Sequence, residues 1–238
     1  MARAALFDVD GTLVDTNHLH TVTWWEAFRQ GGHRVTMHAV HRAVGLGSAD
    51  LIAHLLGEGR DRDQDEVLSD AHRTLYGTYF ERLAAFESAG DLLRTLAGRD
   101  WRIVLVTSAS GAELGALRRA IDADEAVLTT TSADDVSSGK PAPEPVLQAL
   151  ELAEARAEDS VFVGDTVWDM AAGTRAGVTC VGLLSGGIPR AALEAAGAAA
   201  LYRDAAELLG SLDDSPLGRG AARQPGAETQ DEDALGGR

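Results

Sequence analysis

The chain has 238 residues, with 21 Lys and Arg against 37 Asp and Glu and a formal charge of −16 at pH 7. That balance leaves no basic stripe for nucleic acid, so an anionic ligand must be held by local devices: a cation, a lysine, main-chain N–H groups. Hydrophobic residues make up 45%, enough for one medium domain or a domain with a smaller one inserted, and no apolar run approaches the ~18 residues of a membrane span.

The chain opens with the apolar run Ala4-Ala5-Leu6-Phe7, which reads as a short buried strand, and then Asp8-Val9-Asp10-Gly11-Thr12-Leu13-Val14-Asp15. Asp8 and Asp10 interrupt the N-terminus, so no signal segment is expected there. Two close carboxylates repel unless a cation or a proton sits between them. They suit either a hard cation such as Mg²⁺ or a nucleophile working beside a proton shuttle. The plain alternative is a strand followed by an Asx-turn with both acids solvated.

From Thr16 to Gly32, Leu19, Val22, Trp24, Trp25 and Phe28 recur at helical spacing. Further helices are expected over Met37 to Val44, over Ala49 to Leu56 with Ser48 as N-cap, and over Gln64 to Leu83. No strand is expected between residues 16 and 85. Strand and helix patterns then alternate. Strands are expected at Trp101 to Thr107, Ala126 to Thr129, Val161 to Asp165, Thr179 to Leu184 and Ala199 to Tyr202. Helices are expected at Leu92 to Leu96, Glu113 to Ile121, Pro145 to Leu152, Trp168 to Ala176, Pro189 to Ala196 and Asp204 to Leu212. The single cysteine, Cys180, lies in one of these strands. It makes no intrachain disulfide, fits a reducing cytoplasm and reads as a small buried hydrophobe. From Asp213 the composition turns polar, and a disordered tail is expected.

This alternation predicts an α/β fold, a parallel sheet covered on both faces, with the all-helical segment inserted after the first strand. In such sheets ligands bind beyond the carboxyl ends of the strands. There the sequence places Asp8 and Asp10, then Thr107-Ser108, then Lys140 in Gly139-Lys140-Pro141, then Asp165 and Asp169. Singly, each has an ordinary reading: a solvated lysine, a helix N-cap, a first-turn acid. Together they suit phosphoryl transfer. Asp8, Asp165 and a main-chain carbonyl near Asp10 can supply oxygens to Mg²⁺, and Lys140 can neutralise the phosphoryl group. Thr107 and Ser108 can bind its remaining oxygens. Asp8 can attack phosphorus, and Asp10 can protonate the leaving alcohol and then activate water.

These four segments resemble the four motifs of the haloacid dehalogenase superfamily, over about residues 3–212. The resemblance implies a Rossmann-like core (1–15 and 86–212) and a helical cap (16–85) of the phosphoglycolate phosphatase and β-phosphoglucomutase branch, leaving 213–238 as the tail. It implies Mg²⁺-dependent phosphoryl transfer with Asp8 as nucleophile and Asp10 as acid/base. Thr107 and Lys140 would bind phosphate, Asp165 the metal, and Asp169 would be an outer partner of the metal or of Lys140. Asp10 argues against a dehalogenase, which has no alcohol to protonate. A mutase is the rival, because Asp15-Thr16, His20 and Trp24 resemble the start of its cap. Thr12 stands where mutases usually carry Val, which favours a phosphatase of small phosphorylated metabolites. An idle binding protein on this fold is a third reading, and the intact Asp8, Asp10, Lys140 and Asp165 speak against it. His20 and Arg42 are the cap residues expected to touch substrate, hinges are expected near 14–15 and 85–90, and a monomer is expected.

Overall fold

The computed structural model describes residues 2–132 and 138–219. In chain order the elements are β1 (Ala2–Phe7), α1 (Asn17–Gln30), α2 (Met37–Ala43), α3 (Ser48–Leu56), α4 (Asp65–Gly77), α5 (Ala89–Ala97), β2 (Trp101–Val106), α6 (Gly111–Ile121), β3 (Val127–Thr131), α7 (Glu144–Leu152), β4 (Ala155–Gly164), α8 (Val167–Arg175), β5 (Thr179–Leu183), α9 (Arg190–Ala195), β6 (Ala198–Tyr202), α10 (Ala205–Gly210) and α11 (Pro216–Arg219). Six parallel strands form one sheet in the order β3-β2-β1-β4-β5-β6. The order reverses at β1, so the crevice beyond β1 and β4 is the topological switch point where such sheets take ligands.

Alternation along each strand splits the core in two. Phe7, Ile103, Leu105 and Val163 face Leu92, Leu96, Leu117 and Leu208 on one side. Leu6, Val104, Val106 and Phe162 face Val146, Ala149 and Ala172 on the other. A separate core lies inside the helical insertion, where Trp24, Phe28, Val40, Leu51, Ile52 and Leu68 pack together. The insertion leaves and rejoins the sheet through a short crossing. Asp15 N donates to Ala84 O at 3.0 Å, and Phe86 N donates to Leu13 O at 2.9 Å.

Four sequence expectations shift. The helix expected over 64–83 stops at Gly77, a poor helix former, and a 3₁₀ turn at Phe80–Arg82 carries the chain back to the crossing. Gly47, and not Ser48, occupies the N-cap of α3. β4 begins six residues earlier than Val161, because Arg156, Glu158 and Asp159 hide an alternating half-exposed stretch. Residues 213–219, expected to be disordered, are folded. A 3₁₀ turn at Leu212–Asp214 leads into α11, whose Leu217 is 1% exposed in the core beside Leu208 and Leu212. One leucine is enough to seat so short a segment against an existing apolar surface, and composition averages it away. Residues 220–238 lie outside the described residues. Among the described residues no helix is long and apolar enough to cross a membrane.

Candidate active site

β1 is fully buried from Ala4 to Phe7 and delivers Asp8, 5% exposed, to the sheet's carboxyl edge. A tight turn follows, closed by Leu13 N on Val9 O at 2.9 Å and Gly11 N on Val14 O at 2.8 Å, with Gly11 at φ +77°. Only a residue without Cβ adopts that conformation readily. The turn brings the Thr12 hydroxyl back to 3.1 Å from Asp8 Oδ2 and 2.9 Å from Asp165 Oδ1, a carboxylate at the end of the neighbouring β4. The Lys140 ammonium bonds Asp8, lies 2.8 Å from Asp169 Oδ1, and reaches Val106 O at 3.3 Å. Asp169 is saturated on both oxygens. Its Oδ2 accepts from the Thr166 N–H at 3.0 Å and hydroxyl at 2.5 Å, and its own N–H donates to Thr166 Oγ1 at 3.1 Å, completing the capping box of α8. It is thereby fixed as the group that orients Lys140.

Asp8, Asp165 and Asp169 present oxygens within 4.8 Å of one another, all buried, and Lys140 is the cation placed among them. Three buried carboxylates against one ammonium leave negative charge that a dry site does not tolerate. Burial pushes the Asp8 carboxyl up to about 7 despite Lys140, with the Asp169 and Asp10 carboxylates adding to the rise. Burial, then Asp8 and Asp169, hold Asp165 well above the carboxylate range, against hydrogen bonds from Asn17 and Thr12. Burial disfavours the Lys140 charge, but Asp169 and Asp8 outweigh it and keep the ammonium protonated. An oxygen-only donor set with excess negative charge fits a hard divalent cation.

The Asp10 side chain turns to a second group. Its Oδ1 accepts from the Thr16 hydroxyl at 2.7 Å and from His20 Nε2 at 3.2 Å, while Glu113 Oε1 stands 3.9 Å from the same nitrogen. His20 Nδ1 is 3.2 Å from His72 Nε2. Burial lowers the His20 pKa, but Asp10, Glu113 and Asp8 outweigh it and the net shift is upward. Burial and then the His20 charge push His72 well below the ordinary range. Asp10 and Glu113 thus favour the charged form of His20, and in that form it donates to Asp10 on one side and to His72 on the other. Burial works against the Asp10 charge, yet His20 and Thr16 bring its carboxyl below the ordinary value. Burial raises Glu113 to about 7, opposed by His20 and helped by Asp10. Stacking locks the pair: Tyr76 lies 4.0 Å from the His20 ring and Trp24 4.1 Å from the His72 ring.

Asp8, Asp10 and Lys140 open into a chamber between sheet edge and insertion, with Trp24, Ser69, His72 and Arg73 on its far wall. Ser108 lines it. The Thr107 hydroxyl accepts from Ala109 N at 3.0 Å and keeps its own proton for another acceptor. His20 stands at the chamber, but Arg42 does not. It is exposed, and its carbonyl accepts from Trp168 Nε1 at 3.2 Å. The loop that follows Arg42 contributes Val44, Gly45, Leu46 and Ser48 instead. Sequence reasoning missed Thr12 as a bridge, and Asn17, His72 and Glu113 altogether. Thr12 lay within the first motif. The other three meet the site only through helices α1, α4 and α6, and no local spacing marks them.

A family model described as haloacid dehalogenase-like hydrolase matches residues 2–177. A phosphoglycolate phosphatase of Pseudomonas putida is 28% identical over 192 residues, covering 78% of this chain and 71% of that protein. Among solved structures, a hydrolase from Pseudomonas syringae superimposes with a TM-score of 0.85 at 32% identity, over 89% of this chain and 98% of its own. A putative β-phosphoglucomutase from Bacteroides vulgatus shares the fold, with a TM-score of 0.82 at 19% identity over 94% of this chain and 91% of its own.

Proposed function

The chain belongs to the haloacid dehalogenase-like hydrolase family, and from that premise we propose that it is an Mg²⁺-dependent phosphatase of small phosphate monoesters, of the sugar phosphate or phosphoglycolate type. The observation that carries this reading is the pairing of two acids in different electrostatic settings. Asp8 is bonded to Lys140 and lies beside Asp165, and Asp10 is bonded to His20. Relatives named as phosphatases support it.

Asp8 and Asp165, with the main chain at Asp10, would hold Mg²⁺, which supplies positive charge against the phosphoryl oxygens as they become more negative. An Asp8 carboxylate oxygen attacks phosphorus, and the bond from phosphorus to the ester oxygen breaks. The departing oxygen takes, through Asp10, the proton that His20 Nε2 shares with Asp10 Oδ1. Lys140 and the Thr107 and Ser108 hydroxyls hold the remaining phosphoryl oxygens. Asp10, now ionised and paired with His20, takes a proton from the water that attacks the aspartyl phosphate, releasing phosphate and restoring Asp8. Asp169 touches no reacting atom in this scheme and keeps Lys140 aimed at Asp8. The insertion acts as a cap, excluding water during attack and swinging on the paired crossing at residues 13–15 and 84–86. Arg73 and Ser69 on the far wall suit a leaving group bearing hydroxyl or anionic substituents.

Turnover of p-nitrophenyl phosphate, phosphoglycolate and sugar phosphates, with Mg²⁺ and with chelator, tests the reading. Activity should require the metal and vanish in Asp8→Asn; equal turnover by both proteins would remove Asp8 as nucleophile. The mutase alternative draws on His20 beside Asp10, and formation of glucose 6-phosphate from β-glucose 1-phosphate would move the assignment to it.

A further inference from the structure

Asn17 opens α1, the first helix of the insertion, and its side chain reaches back into the core. Its Nδ2 donates to Asp165 Oδ2 at 2.7 Å and to Gly186 O at 3.3 Å. The amide can face only one way, because its oxygen turned to that side would meet two acceptors. The opposite atom, Oδ1, is buried with no hydrogen-bond partner, in a residue only 4% exposed. An orphaned acceptor of this kind is costly unless something outside the chain fills it.

The space around the amide is built for it by two glycines from different loops. A Cβ on Gly11 would lie 2.3 Å from Asn17 Nδ2 and 2.5 Å from Asp165 Oδ2. A Cβ on Gly186 would lie 1.6 Å from Asp165 Oδ2 and 2.7 Å from Asn17 Nδ2. The two loops are tied together by the Ser185 hydroxyl on Gly11 O at 2.7 Å. A second bond from the insertion, His41 Nε2 to Gly186 O at 2.9 Å, braces the same loop. Two backbones thus leave out side chains so that one insertion residue can grip a carboxylate of the candidate cation site.

We propose that Asn17 is a positioning residue of the cation site carried by the insertion: its N–H orients Asp165, and its buried Oδ1 accepts a hydrogen bond from a water of the cation's shell. The proposal rests on the Mg²⁺ reading above. Its consequence is that cation binding and the seating of α1 on the core are coupled. Cation affinity is set partly by a residue that leaves the site when α1 lifts away, and bound Mg²⁺ in turn favours the seated insertion.

Titration calorimetry of the full chain with Mg²⁺ alone tests this without turnover. Residues that orient a metal ligand are typically worth 10–100-fold in metal affinity, so Asn17→Ala should weaken Mg²⁺ binding by about that factor. Asn17→Ser keeps a donor and an acceptor on a shorter side chain, so it should lose less than Asn17→Ala. It also answers the question should the alanine variant fail to fold. Unchanged affinity in Asn17→Ala, or equal losses in both variants, would overturn the proposal while leaving the Mg²⁺ reading intact. Absence of Mg²⁺ binding by the unmodified protein would overturn both.

Discussion

Lys140 Nζ sits 2.8 Å from Asp169 Oδ1, and the ion pair is buried, with side-chain exposures of 4% and 0%. The same ammonium bonds Asp8, so one cation serves two carboxylates, one at the end of β1 and one in the first turn of α8. Removing it leaves Asp8, Asp165 and Asp169 facing one another without a compensating charge. Lys140→Met should lose about 3–5 kcal/mol, the cost of stripping one partner from a buried pair. Mg²⁺ should restore more stability to this variant than to the unmodified protein. Urea unfolding in chelator and in Mg²⁺ measures both, and equal stability in chelator would show that the three carboxylates are not ionised together.

The division of labour between Asp8 and Asp10 predicts a dependence on the leaving group. p-Nitrophenolate departs without a proton, and an alkoxide does not. Asp10→Asn should lower turnover of an alkyl phosphate by about 10²–10⁴, the usual contribution of general acid–base catalysis. On p-nitrophenyl phosphate the same variant should release a burst of about one equivalent of phenol, then slow, because only hydrolysis of the aspartyl phosphate still needs Asp10. Rapid-mixing kinetics would reveal the burst, and a slow linear release from the start would argue against it.

His20 and Thr16 together hold the Asp10 carboxyl below its ordinary value although burial pushes the other way. His20→Ala removes the opposing charge, so the Asp10 pKa rises. The base form needed to activate water then appears only at higher pH. The acidic limb of kcat against pH should move upward, with the limb on the alkaline side less affected. A limb that stays in place would separate His20 from the proton chemistry and leave it as packing against Tyr76.

Leu217 anchors residues that look like a tail. It is 1% exposed and packs against the sheet-side core. Leu217→Ala should cost about 2–5 kcal/mol, as for other buried leucines, with Mg²⁺-dependent turnover unchanged per folded molecule. Thermal or urea unfolding would show it, and a difference below ~0.5 kcal/mol would mark the segment as an ordinary surface turn.

Most of the fold was legible because its signals are local. Buried parallel strands read as short apolar runs, and each carried its polar residues at the carboxyl end, so Asp8, Asp10, Thr107, Lys140 and Asp165 fell on one rim once the sheet was granted. Signals that average over a window misled. Charged residues hid the first half of β4, and a polar stretch hid the single leucine that seats α11. The break at Gly77 needed the return path to the crossing at Asp15 and Ala84, which no local pattern contains.

By itself the sequence determined the α/β class, the helical insertion and the set of groups at the sheet edge, since periodicity and strand-end chemistry are properties of neighbouring residues. Tertiary structure alone decided who serves whom. Thr12 bridges Asp8 and Asp165, Glu113 joins His20 at Asp10, Arg42 stays outside the chamber, and Asn17 enters from the insertion to hold Asp165. These pairings join residues up to 153 positions apart. They form because burial removes water as the competing partner, which favours a partner from within the folded chain.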